Sequence, residues 1–345
     1  MRLQELLLQH FRNYGKRRFE FPQNTTVFVG PNAIGKTNIL EAIFMLAVGK
    51  SFRTSRDSEA VEKGEEVGRI SAEITNDKFQ ISNQIQNSNN KSIQNQKSKI
   101  ENPNDHTILE VVLTTGLVLG QKAPLKKYLV NGISRRSIDF VGNLRMVLFE
   151  PEDVELVRGS PGKKRNYLDF VLVQIDREYR RNLAAYEKGV RQRNRLLERI
   201  RDEGANSAQL HFWDQLLIKN GGYLSRAREE FIEFINAFEK PFVHQLADQG
   251  KPFLDFRVIY DHSYISEARL AQYRDAEIAS ATTLVGPHRD NFEVYEHERG
   301  LSSFGSRGEQ RLGVLWLKLA ELAYMEEKTR SRPLLLLDDI FSELD

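Results

Sequence analysis

Cysteine is absent from this chain of 345 residues. Its absence excludes disulfides, thiol catalysis and cysteine-bound zinc, and it fits a reducing cytosol. Long apolar runs are also missing. No window reaches the ~18 apolar residues of a membrane span. The opening MRLQELLLQHFRNYGKRR lacks the apolar stretch of a signal peptide. Charge is close to balanced, at a formal net +2. No global positive field attracts nucleic acid, so any such contact must come from local patches. There is no internal repeat. These absences leave a soluble protein with no membrane partner, expected in the cytoplasm. With 40% hydrophobic and 28% charged residues, the composition is that of an ordinary globular protein. A chain of this length outgrows one core, so at least two structural units are expected.

Apolar runs around an Asn13-Tyr14-Gly15 break give strands in residues 1–29. TTVFVG (25–30) reads as a short buried strand, and Ile39, Leu40, Ile43, Leu46 and Ala47 give a helix over 38–48. Residues 82–106 are rich in Asn and Gln and poor in large apolar side chains. Such a segment cannot offset its ordering entropy and reads as a floppy loop between strands at 70–74 and 107–113. Further strands are predicted at 127–132, 145–151, 255–260 and 291–297. Between about 162 and 242 the pattern turns helical, with Leu183, Tyr186, Val190, Leu196, Leu197 and Ile200 on one helix. Gly204 to Ser207 forms a turn, and Leu216, Leu217, Tyr223, Phe231 and Ile235 mark a second helix. The two make a short antiparallel arm. A last amphipathic helix spans 312–327 and precedes the strand of four leucines at 334–337.

Three motifs carry chemistry. Gly30-Pro31-Asn32-Ala33-Ile34-Gly35-Lys36-Thr37 matches G-x-x-x-x-G-K-[ST], between a β-branched run and a helical pattern. Such a loop turns backbone N–H groups inward at a helix N-terminus and cradles phosphate. Lys36 would neutralise the β- and γ-phosphates of ATP, the Thr37 hydroxyl would ligate Mg²⁺, and Asn38 extends the binding segment. Arg12 and Asn13 are further nucleotide candidates. Leu334–Leu337 followed by Asp338-Asp339 looks like the acidic strand end of such ATPases. Four leucines suit a strand buried on both faces. Asp338 would hold Mg²⁺ and Asp339 would activate the attacking water. An Asp at the second position, where Glu is usual, points to slow hydrolysis. Between these motifs, Ser306-Arg307-Gly308-Glu309-Gln310 precedes an amphipathic helix. It resembles the signature of ABC-type ATPases, with Ser306, Gly308 and Gln310 as its core. In that superfamily this second anion site faces the γ-phosphate held by another subunit. Phe341-Ser342-Glu343-Leu344-Asp345 looks like the D-loop.

The order of these elements resembles the RecF family of ABC-type ATPases. FRNYGKRRFEF, GPNAIGKTNILEAIFMLAVGKSFR, FEPEDVELVRGSPGKKRNYLDF, VGPHRDNFEV, FGSRGEQR and LLLLDDIFSELD occur in the family order. The likeness spans nearly all of the chain outside 82–106. It implies an α/β fold, an ABC-type P-loop ATPase head with a helical second lobe. The ATPase segments would be 1–160 and 251–345, and the helical lobe 161–250. It also implies a homodimer closing on ATP, weak ATPase activity, and binding of single- and double-stranded DNA at gaps. Recombinase loading through RecR, with RecO nearby, completes the expected role. Asn291 departs from the family's usual second acid. The end at Asp345 reads as a truncated frame. No clear Q-loop glutamine is found, and Glu150 lies where one would be sought.

For DNA, the local basic clusters are Arg135-Arg136, Lys163-Lys164-Arg165 and arginines along the arm. Their phosphate contacts would be blind to sequence and sensitive to salt. His288-Arg289-Asp290 suits either a polar structural turn or a place near nucleotide. Competing functions are an ABC-type subunit of a phage-defence or nuclease system, a transporter's nucleotide-binding subunit, and a binding module without turnover.

Overall fold

In a computed structural model, residues 1–22, 24–75, 106–238 and 255–339 are described. Of the Asn/Gln-rich segment expected to be a loop at 82–106, all but His106 lies outside them, as does the segment 341–345 expected to be the D-loop. The chain divides into two compact units. One comprises 1–146 with 329–334, and the other 147–328 with 335–345.

The first unit is built on β1 (Arg2–Phe11), β2 (Tyr14–Glu20), β3 (Val67–Thr75) and β4 (His106–Thr114). Helix α1 (Lys36–Val48) lies between β2 and β3 in the chain. A two-strand flap, β5 (Leu117–Val118) and β6 (Gln121–Lys122), leads to β7 (Lys126–Val130) and β8 (Ile133–Arg135), followed by α2 (Ser137–Phe140). The strands form one six-stranded sheet in the order β2-β1-β3-β4-β7-β8, every neighbouring pair antiparallel. Period-two patterning sets its inner face: Leu6, Leu8, Ile70, Ala72, Ile74, Leu109, Val111 and Leu113 are buried. Helix α1 packs on β3 and β4 through its apolar side chains.

The second unit begins at β9 (Met146–Phe149), a 3₁₀ turn (Pro151–Val154) and α3 (Glu155–Arg158). It continues with α4 (Pro161–Ile175), α5 (Arg177–Glu203) and α6 (Leu210–Ala237). Asp176 caps α5 by accepting from the Glu178 N–H, and Gly204 ends it in a left-handed turn. Helices α5 and α6 are antiparallel, because Arg193 meets Asp214 and Arg228 meets Tyr179. Glycines let them approach closely: a Cβ at Gly189 would come within 2.6 Å of Leu216, and one at Gly221 within 2.9 Å of Tyr186. This is the expected arm. Next come β10 (Phe256–Asp261), α7 (Glu267–Ser280), β11 (Asn291–Glu296), β12 (Arg299–Gly300), α8 (Leu301–Phe304), α9 (Arg307–Thr329) and β13 (Leu334–Leu337). Its main core gathers Tyr167, Phe231, Phe256, Phe292, Trp316 and Tyr324.

Two expectations fail. Residues 24–30 form no strand, and Val27 and Val29 are 75% and 90% exposed. Among the described residues this run has no ladder partner, and β-branched composition alone does not bury a segment. The four-leucine strand β13 is real, but Leu335 and Leu337 are about half exposed and only Leu336 is buried. Among the described residues its single neighbour in the sheet is β9. The Leu334 N–H meets the Arg145 carbonyl and the Asp338 N–H meets that of Phe149. Equal steps along both chains make the pair parallel.

Candidate functional site

The phosphate loop is shaped from behind. Phe11 pairs with Tyr14, so Arg12 and Asn13 form the hairpin turn. Arg12 lies in the left-handed region, at φ 55°, which is unfavourable for a residue with a Cβ and must be held by its surroundings. Its N–H donates to the Ala60 carbonyl at 2.8 Å. Its guanidinium donates to both carboxylate oxygens of Glu41, at 2.9 and 2.5 Å, and to the Glu59 carbonyl. The turn thus presents Asn13, whose amide donates to the Ile34 carbonyl at 2.9 Å and accepts from Asn38 at 2.8 Å. Tyr14 donates to the Gly35 carbonyl. Arg12 and Asn13, singled out as nucleotide contacts, therefore stand as braces of the loop.

Gly35 has φ 111° and opens α1. A Cβ there would come within 2.7 Å of the Asn13 amide oxygen, so only glycine fits. Ala33 is left-handed as well. The Lys36 ammonium donates to the carbonyls of Gly30 and Pro31 at 2.8 and 3.0 Å. It therefore sits inside the curl of the loop. Gly30 is half-buried, Pro31, Asn32, Ala33 and Ile34 form the exposed rim, and Thr37 and Asn38 lie in the first turn of α1.

In the second unit the signature opens α9. Ser306 and Glu309 form a reciprocal cap: the Ser306 N–H donates to Glu309 at 2.6 Å and the Glu309 N–H to the Ser306 hydroxyl at 3.3 Å. These bonds hold the Glu309 pKa below the usual carboxylate range. Ser306 and Gly308 are exposed, and a Cβ on Gly308 would meet nothing. Gln310 differs. Its side chain is buried and donates to the carbonyls of Leu301 and Gly305. It fixes the turn before α9 and points away from any ligand at the helix tip.

Asp338 ends β13 with its N–H on Phe149, and Asp339 follows in the left-handed region at φ 46°. Glu150 comes one residue after that Phe149. Burial, then its neighbours Asp153 and Glu152, raises its pKa to about 7, and Asp338 adds to the effect. Beneath α9, Lys318 is buried against Asp153 at 3.0 Å and Glu321 at 3.6 Å. Sequence reasoning missed this cluster and Glu41. In both cases the available signal was an ionisable residue on an otherwise apolar helix face.

The basic clusters separate on inspection. Lys163 is exposed, whereas Lys164 is buried with its ammonium 5.6 Å from the centre of the Phe292 ring. Arg165 donates to the Asp290 carbonyl. Lys164 thus cannot reach a phosphate as placed, because α4 turns it into the core. Arg193 of the arm is fully buried between Asp214 (2.8 Å) and Glu277 (2.6 Å). Arg135 and Arg136 stay exposed, the latter paired with Asp139. Of the two roles open for the His288 segment, the turn is what the contacts describe. Asp290 accepts from Arg228, Tyr260 and the Ser263 N–H. His288 bonds Tyr186 and the Thr283 carbonyl, and burial lowers its pKa to about 4.

Residues 2–345 match the model of the RecF/RecN/SMC N terminal domain. A protein of Herpetosiphon aurantiacus called DNA replication and repair protein RecF is 37% identical over 363 residues, covering 100% of this chain and 87% of that one. The protein of the same name from Bacillus cereus is 33% identical over 357 residues, covering 100% and 86%. A solved structure described as the recombination mediator protein RecF-ATPrS in the RecFOR pathway superposes with a TM-score of 0.83 at 28% identity. That match covers 100% of this chain and 86% of the other.

Proposed function

Since the chain belongs to the RecF/RecN/SMC family, and within it to the RecF proteins, we propose that it binds ATP at the tip of α1, dimerises around it, and acts on DNA in recombinational repair and at replication gaps. The observation that carries this reading is the braced loop. Gly35 is locked in place, and Lys36 lies on the carbonyls of Gly30 and Pro31, where phosphate oxygens would meet it. The same ABC-type head serves phage-defence systems, but the full-length likeness to repair proteins favours the repair reading.

Lys36 neutralises the β- and γ-phosphates, while N–H groups of the loop from Gly30 to Thr37 cradle them. Asn38, through Asn13, keeps the loop's rear wall in place. The Thr37 hydroxyl and the Asp338 carboxylate are each an oxygen donor of the kind Mg²⁺ takes. When bound, that ion supplies neutralisation of the charge that develops on the phosphates. Asp339 orients the attacking water, and its short side chain suits slow turnover. Ser306 and the Gly308 N–H, exposed at the α9 tip, meet the γ-phosphate held by a second copy. Gln310 supports that tip from inside. Helices α4, α5 and α6, within the expected 161–250, serve as the second lobe. Lys163, Arg135 and Arg136 are the exposed cations offered to DNA phosphates. RecR, with RecO, would be the partners and the cytoplasm the compartment. Among the described residues no helix is long and apolar enough to cross a membrane.

The reading is tested by DNA binding with and without ATP on gapped, single-stranded and duplex substrates. ATP should strengthen binding, most of all at the gap. Equal binding with and without nucleotide would contradict it.

A further inference from the structure

Helix α1 carries one acid, Glu41, in a run whose other buried residues from Ile39 to Val48 are apolar. The side chain is fully buried. A buried carboxylate destabilises a fold unless hydrogen-bonded cations satisfy it. Here Arg12 grips it with two bonds, the Ser51 hydroxyl donates at 2.5 Å, and Arg53 stands 3.6 Å away. Two guanidiniums face one carboxylate, which leaves one positive charge in excess. The excess falls on Arg53, the more exposed of the two.

These contacts close into a ring. From Glu41 it runs to Arg12, along the backbone to Asn13, and across to Asn38 at 2.8 Å. Asn38 accepts from Arg53 at 2.6 Å, the Arg53 N–H donates to the Ser51 hydroxyl at 2.9 Å, and Ser51 returns to Glu41. The ring has one branch to the phosphate loop, from Asn13 to the Ile34 carbonyl. Anchoring α1 to the sheet would need only one of these links. Closing the ring fixes the left-handed Arg12 turn, and with it the position of Asn13 against the residue before Gly35.

We propose that Glu41 is a positioning residue for nucleotide binding: through Arg12, Ser51 and Arg53 it sets the placement of Asn13 on the phosphate loop. The proposal rests on the reading of that loop as the ATP site. A fully buried carboxylate touches no ligand, so its removal should weaken ATP binding and leave turnover of the bound nucleotide less affected.

The experiment measures ATP affinity, KM and kcat for hydrolysis, and melting temperature. It compares the full chain with Glu41→Gln, Ser51→Ala, Asn13→Ala and the double variant Glu41→Gln/Asn13→Ala. Glu41→Gln should weaken ATP affinity about tenfold, the usual scale for a supporting residue behind a site. KM should shift more than kcat. The double variant should bind no worse than its weaker-binding parent, because both changes open one ring. Ser51→Ala should weaken affinity in the same direction by a smaller factor. Should Glu41→Gln not fold, unchanged affinity in Ser51→Ala overturns the proposal. Lowered melting temperature with unchanged affinity, or full additivity in the double variant, also overturns it. If the unaltered chain binds no ATP, the reading of the loop itself falls. If it binds and the variants match it, only the role of Glu41 falls.

Discussion

Helices α1 and α9 both begin at a glycine-containing turn of the kind that directs N–H groups toward an anion, and they are held there by different means. The tip of α1 is braced from outside. Asn13 and Tyr14 reach in from the β1–β2 turn, and Glu41 backs them from within the helix. The tip of α9 closes on itself: Glu309, from its own first turn, caps Ser306. Its firm anchorage lies deeper, at Gln310 and Lys318. A helix end braced by other elements can keep its amides free and aimed before a ligand arrives. A helix end capped by its own carboxylate already holds an anion, and a phosphate arriving there must share or displace it. This contrast suits a site in which α1 grips nucleotide first and α9 completes the grip from a second copy.

The largest expected effect is at α1. Lys36→Met should abolish ATP binding in a filter assay, and retained affinity would remove the cradle from the account. Gly35→Ala should do nearly as much. A residue with a Cβ at φ 111° costs about 1–3 kcal/mol in backbone strain, and its Cβ would displace Asn13. Next comes the anchorage of α9. Lys318→Met strands buried Asp153 and Glu321, and loss of one partner of a buried pair costs about 3–5 kcal/mol. Chemical denaturation at pH 8 should show it. A loss below about 1 kcal/mol, the scale of an exposed pair, would mean that the cluster does not hold the helix.

Glu321 sharpens the same point through pH. Burial raises its pKa to about 7, against the opposing effect of Lys318. In the unfolded chain a glutamate titrates near its ordinary value of 4.5. Between these values the folded state binds the extra proton, so stability falls as pH rises and the deficit is complete above about 7. Glu321→Gln should therefore raise the melting temperature at pH 8 and leave it nearly unchanged at pH 4. Equal shifts at both would refute the assignment. The smallest effect belongs to the cap. Ser306→Ala should cost about 1 kcal/mol of stability and leave ATP affinity of the isolated chain unaltered. Loss of that affinity would blur the distinction between the two helix ends.

What could be read beforehand follows from how local each cause is. The loop from Gly30 to Thr37, the capped helix α5 of the arm and the alternating strands β3 and β4 are set by neighbours within a few residues. They are legible for that reason. Whether Lys164 faces solvent is decided by α4 packing on Phe292, over a hundred residues away, and basic clustering carries no such information. The four leucines of β13 promised burial on both faces, yet the strand has one neighbour among the described residues. Gln310 matched the signature by spacing, while its amide serves Leu301 and Gly305. Arg12 was legible as important and its role was not, because its partner Glu41 lies 29 positions on.

The account stands on one nucleotide being completed by two copies, and mixing two inactive variants tests this most directly. Lys36→Met and Ser306→Arg should each hydrolyse no ATP alone. Mixed, they form pairs in which an intact α1 tip on one chain faces an intact α9 tip on the other. ATP hydrolysis should then reappear, rising with the mixing ratio to a maximum near equal amounts. A mixture as inactive as its components, with both variants folded and gapped DNA present, would contradict the account.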